Sequence, residues 1–160
     1  MKNKEIMSLV SVLLAAVALL LWFLLPALSF TVLGFTQNFS FLDATFGKSV
    51  TMAGTTNKMF GFSIVNFLGL LSIIGTLVLT ILSTFVSKFK KQGVLFNYIA
   101  FGLSVLGAVI VFLVKNALNL DGSGGTEYLK VEVGPILVGI LLIINAGILI
   151  FPKLLEKSKK

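Results

Sequence analysis

Residues 60–87 form an uncharged, mostly apolar stretch that ends against the basic cluster Lys88, Lys90 and Lys91. A helix rising about 1.5 Å per residue over that length exceeds the roughly 30 Å hydrocarbon core of a bilayer. Its polar and small residues gather on one side. Phe62, Asn66, Gly69, Ile73, Thr76, Thr80, Ser83 and Ser87 follow one another at alternating steps of four and three, which holds them on one face of a left-handed helix pair. That face must meet protein, since small residues let backbones approach and hydroxyl and amide groups bond across helices.

Three more apolar runs share this character, and the spans are expected at about 7–28, 60–87, 94–115 and 133–152. The chain is 57% hydrophobic and only 12% charged, against about 45–50% and about 25% in soluble domains. The first run has two readings. A cleaved leader has an apolar region of about 7–15 residues, whereas this run is longer and carries Trp22 near its outer end, as interfacial aromatics do in a retained span. Ser8, Ser11, Ala15, Ala18, Trp22 and Leu25 repeat the four-three spacing, as do Asn97, Ala100, Ser104, Gly107, Val111 and Val114 in the third span. On the fourth, Asn145 shares a face with Gly134, Val138, Leu141 and Ile148. Any partner for it must therefore come from another helix or another subunit. The fold class this predicts is an all-α integral membrane protein: one polytopic domain over 1–160, built as an antiparallel bundle of four transmembrane helices.

The outer loops are 29–59 and 116–132, with a cytoplasmic turn at 88–93 and a tail at 153–160. Thr31-Val32-Leu33 and Phe39-Ser40-Phe41 have strand composition around Thr36-Gln37-Asn38, which predicts a hairpin turning at those three residues. Residues 51–58 are rich in Gly, Thr and Asn and read as irregular. In the second loop Tyr128, Lys130 and Glu132 alternate with Leu129, Val131 and Val133, a strand pattern. Both loops are expected to contribute to one small extracellular β element. Pro135 suits the first turn of the fourth span, and Pro152 is read as its end. This layout resembles the claudin-type four-span topology, although that family's loop tryptophan and cysteine pattern has no counterpart here and no residue role carries over.

Lysine supplies all the positive charge. Nine lysines flank the termini and the 88–93 turn, among them Lys88, Lys90, Lys91, Lys153 and Lys157, against four on the other side. Excess lysine marks the cytoplasmic side, so both termini are expected in the cytoplasm, in the plasma membrane, with the basic clusters contacting lipid headgroups. An arginine-free chain with lysines at membrane edges does not suit nucleic acid.

Catalytic inventory is sparse. The chain has no cysteine and no histidine, which removes the thiol nucleophile, the thiolate metal site and the commonest general base. No Asp or Glu lies within the apolar spans, where one would mark a functional site by default, and Lys115 stands at the outer boundary of the third. Neither an enzyme activity nor a cofactor or metal is expected. The polar groups left inside are Asn66, Thr76, Thr80, Ser83, Asn97, Ser104 and Asn145, with Gly69 and Gly107 on the same faces. They read as interhelical packing and hydrogen bonding, or as a polar path. Phe30, Phe35, Phe39, Phe41 and Phe46 in the first outer loop either fold over the end of the bundle or form a docking surface. The function expected is a non-enzymatic accessory, assembly or protective subunit that binds another membrane protein or itself. The alternative is a small oligomeric channel or transporter using the hydroxyl and amide groups.

Overall fold

The computed structural model describes residues 2–32, 34–52, 55–86, 92–120 and 128–157. In chain order the elements are α1 (Lys2–Leu24), β1 (Pro26–Val32), β2 (Phe35–Ser40), α2 (Phe41–Phe46), β3 (Lys48–Met52), β4 (Thr55–Gly61), α3 (Ile64–Phe85), α4 (Gly93–Phe112), β5 (Asn119–Leu120), β6 (Leu129–Val131) and α5 (Val133–Lys157). Four of these helices contain segments long and apolar enough to cross a membrane: Ile6–Leu24, Ile64–Phe85, Gly93–Phe112 and Val133–Ile150.

The helix ends differ from the spans expected at 7–28 and 133–152. α1 stops at Leu24 because Pro26 disfavours helical backbone in the residue before it, and Pro26 itself opens β1. At the other end of the chain, α5 runs through Pro152 to Lys157. Proline removes one donor and crowds the preceding turn, but its fixed φ of about −65° is compatible with a helix. α3 starts at Ile64, with the Ser63 side chain accepting from the Asn66 backbone N–H; this cap satisfies a donor that the first turn leaves open.

Small residues set how closely the helices pack. A Cβ at Gly69 would fall 2.7 Å from Ile110 Cγ2, and one at Gly75 would fall 2.9 Å from Leu103 Cδ1. Gly93 lies opposite Ser83, so α3 and α4 run in opposite directions. Gly107 of α4 abuts Leu142 of α5, and Gly139 of α5 lies under the Phe112 ring. α1 completes the ring by packing on both α3 and α5. The buried core runs from Ile73, Leu142 and Val138 between the helices up to Trp22, Phe39, Phe41 and Phe60 beneath the strands.

Two three-stranded sheets cap the helices, where one was expected. Their strand orders are β2-β1-β6 and β3-β4-β5, and each takes two strands from the connection between α1 and α3 and one from the connection between α4 and α5. β1 follows α1 and pairs antiparallel with β6, which leads into α5. β4 leads into α3 and pairs antiparallel with β5, which follows α4. Each packed helix pair therefore continues beyond its ends as a strand pair. Phe39 meets Phe60 edge-on, with ring centroids 4.9 Å apart, and joins the sheets.

Three expectations for the first loop fail for local reasons. The first hairpin turns next to Gly34, whose φ is +84°, and Val32 pairs with Phe35; Thr36-Gln37-Asn38 are strand residues. Glycine adopts that backbone without steric cost, which outweighs the turn propensity of Gln37 and Asn38. Phe41 opens a helix instead of ending a strand, because Ser40 and Asp43 form a reciprocal capping box at 3.0 and 3.1 Å. Within 51–58, expected to be irregular, residues 51–52 and 55–58 are strand residues of a second antiparallel pair, and residues 53 and 54 lie outside the described residues. Both tips have the sequence Thr-x-x-Gly-x-Thr, and in both the threonine hydroxyls bond across the strands, Thr31 to Thr36 at 3.0 Å and Thr51 to Thr56 at 2.9 Å.

Candidate functional site

The residues to place are the polar groups inside the helices and the phenylalanines of the outer loop. Asn145 is wholly buried. Its Oδ1 accepts from Ser11 Oγ of α1 at 2.6 Å, and its Nδ2 donates to Ser104 Oγ of α4 at 3.3 Å. Ser104 in turn donates to the Leu142 carbonyl at 3.0 Å. Three helices thus meet at one closed polar knot. The four-three spacing puts each of these residues on a packed face, but the pairing of Ser11 with Asn145 spans 134 residues and has no sequence signal.

The hydroxyls of α3 behave differently. Thr76 donates to the Ser72 carbonyl at 2.8 Å, Thr80 to the Thr76 and Leu77 carbonyls at 2.9 Å, and Ser83 to the Thr80 carbonyl at 3.0 Å. Thr84 also bonds the Thr80 carbonyl, at 2.7 Å. These bonds return to the helix that carries the side chains, a mode common for Ser and Thr within helices. Across the interface, the Thr76 hydroxyl lies 3.5 Å from the Ala100 carbonyl. Asn97 is half-buried on α4, one turn beyond Gly93.

A second cross-chain junction closes the strand end of the helices. Asn66 Nδ2 donates to the Ala44 carbonyl at 3.0 Å, the Ser63 N–H donates to the Thr45 carbonyl at 2.8 Å, and Ser63 Oγ donates to the Ala117 carbonyl. Asn119 Nδ2 reaches the Phe62 carbonyl at 3.2 Å. Two buried oxygens, Asn66 Oδ1 and Thr45 Oγ1, have no hydrogen-bond partner among the described residues. Ser63, Thr45 and Ser11 were not singled out as site residues from sequence. Nor was Gly134, where a Cβ would run into the Pro26 carbonyl.

The four phenylalanines whose side chains are described differ in burial. Phe39 and Phe41 are buried, Phe41 stacked on Trp22 at 5.3 Å between ring centroids. Phe30 is partly buried against the same core. Phe39 and Phe41 are thus core residues, and Phe30 is part of the way there. Phe46 is 52% exposed. Phe35 is on β2, but its side chain lies outside the described residues.

Of the lysines read as headgroup contacts, Lys88, Lys90 and Lys91 lie outside the described residues, as do the side chains of Lys153 and Lys157 on α5. Lys48 pairs with Asp43 at 3.1 Å beside α2. Among the described residues no three His, Cys, Asp or Glu side chains gather into a possible metal site. Chemically, the arrangement offers hydroxyl and amide groups that are engaged with one another or with backbone at Ser11, Thr76, Thr80, Ser83, Ser104 and Asn145, with Asn66 Oδ1 and Thr45 Oγ1 left over. Compared with family models, with curated proteins and with solved structures, the chain shows no match.

Proposed function

We propose that this protein is a non-enzymatic four-span membrane protein that works through helix and outer-domain contacts, as an accessory, assembly or protective subunit of a membrane complex. In this reading the four helices form an antiparallel bundle across the plasma membrane. Both termini face the cytoplasm, in keeping with the lysine excess beside them, and the two small sheets stand outside.

The observation that carries the reading is the closure of Asn145 on Ser11 and Ser104. An intramembrane amide that spends both ends of its side chain on neighbouring helices supports a role in holding the helices together. The return of the α3 hydroxyls to their own backbone points the same way. What remains to meet partners is the outer domain and the outward faces of the helices.

The test is isolation of the full chain from its native membrane in a mild detergent, followed by native mass spectrometry. A stoichiometric membrane partner or a defined oligomer is the expected result. A monodisperse monomer with no partner, retained across several detergents, overturns the proposal.

A further inference from the structure

The short helix α2 packs against the strand-side ends of α1 and α3. Phe41, Ala44 and Thr45 on one side of it are buried, while Leu42 and Phe46 on the other are exposed. The exposed side is not isolated. Phe46 lies 6.2 Å from Phe62 and 6.0 Å from Phe67 between ring centroids, and Phe62 lies 5.7 Å from Phe67. Phe62 is itself 46% exposed, so the three rings form an apolar triangle open on its outer side.

Its depth can be fixed from the helices. The apolar segment Ile64–Phe85 has 22 residues, which at about 1.5 Å per residue just exceeds the roughly 30 Å hydrocarbon core. Ile64 therefore marks the edge of that core, and Phe67 lies about 4.5 Å inside it. A ring packed against Phe67 sits at the hydrocarbon edge. On its other flank α2 stacks Phe41 on Trp22, two residues before the end of α1. Both supports of α2 are thus the outermost turns of membrane-length helices. Ile64, Leu68 and Leu71, which share one side of α3 next to Phe67, are exposed and apolar, and on a helix that crosses a bilayer such a side faces lipid.

We infer that α2 is an interfacial anchor: Leu42, Phe46 and Phe62 insert into the lipid leaflet on the strand side, and they tie the outer domain to the bilayer surface. The occupant of this face is lipid, because the face is continuous with the lipid-covered flank of α3 and lies at the depth where amphipathic helices bury their apolar sides. The inference uses only the membrane-spanning helices and stands apart from the subunit role proposed above.

The chain has no cysteine, so a single introduced thiol reports on one position without background. Phe46→Cys, Phe62→Cys, Leu42→Cys and, as a water-exposed control, Thr56→Cys are each labelled with a nitroxide in full-length protein in phosphatidylcholine nanodiscs. Collision rates with molecular oxygen and with a neutral nickel chelate give the depth of each label. Positions 42, 46 and 62 should show an oxygen-to-nickel ratio several-fold above that at position 56. A ratio at 46 equal to that at 56 places the helix in water and overturns the inference. Labels at both 42 and 46 shielded from both reagents place protein on the face, a second copy or another chain, and overturn it equally. The three positions are independent, so misfolding of one variant leaves two to decide.

Discussion

Asn145 and Thr80 are both buried polar residues on small-residue faces of membrane-length helices, yet their hydrogen bonds go to different places. Asn145 reaches across two helix interfaces, to Ser11 and Ser104. Thr80 reaches only into its own helix, to the Thr76 and Leu77 carbonyls. Side-chain length and valence account for this. An amide has a donor end and an acceptor end held apart on a longer stem, so it can link two neighbours at once, whereas a threonine hydroxyl lies close enough to the preceding turn to satisfy itself there. Buried polarity in this protein is therefore of two kinds: one ties helices together, and the other is tolerated within a helix.

The comparison makes graded predictions. Asn145→Leu should cost most, about 1 to 2 kcal/mol, since it breaks two interhelical bonds and leaves the Ser11 hydroxyl without its acceptor; unfolding in mixed micelles measures it. Gly69→Ala should cost about 1 kcal/mol through the clash with Ile110, whereas Gly102→Ala, with nothing within 4 Å of the new Cβ, should gain about 0.5 kcal/mol from helix propensity. Equal effects at the two glycines would show that the α3–α4 approach is looser than described.

A double-mutant cycle on Ser11→Ala and Asn145→Ala should give a coupling of about 0.6 kcal/mol or more. The cycle on Thr80→Ala and Asn145→Ala should be additive to within about 0.5 kcal/mol. Thr80→Val should have the smallest effect, under about 0.5 kcal/mol, because a hydroxyl bonded to its own helix contributes little to association. A Thr80→Val cost matching that of Asn145→Leu would erase the distinction between the two residues.

The buried face of α3 and α4 was legible in the spacing over their middle turns, where Asn66, Gly69, Thr76 and Thr80 on α3, and Ser104 and Gly107 on α4, are all buried. It failed at the ends: Phe62, on the same spacing, precedes α3 and is exposed, and Ser83 and Asn97 are only half-buried. The partners were not legible. A four-three period reports the angular position of a residue on its own helix and carries nothing about the axial offset of the neighbour. The two small sheets were legible only in part. The alternation around Leu129 marks a strand, and β6 is there, but the turn at Gly34 and the helix at Phe41 depend on one glycine backbone angle and on one Ser-Asp cap. Composition averaged over a window cannot resolve single-residue choices of that kind. The phenylalanine-rich loop divides for the same reason: a strand sends alternate residues to opposite faces, and a capping box then starts a new period at Phe41.

What the sequence determined by itself is the set of four membrane-length apolar helices. Apolar length and the absence of charge are local properties, and burying that much apolar surface dominates every other choice. What only the tertiary structure decided is how those helices are joined beyond their ends. β1 closes on β6 and β4 on β5, the two sheets meet at Phe39 and Phe60, and Ser11 finds Asn145. Each of these is a contact between residues far apart in the chain, held by directional bonds or ring packing. Such contacts form only where the packed helices bring both partners to the same height.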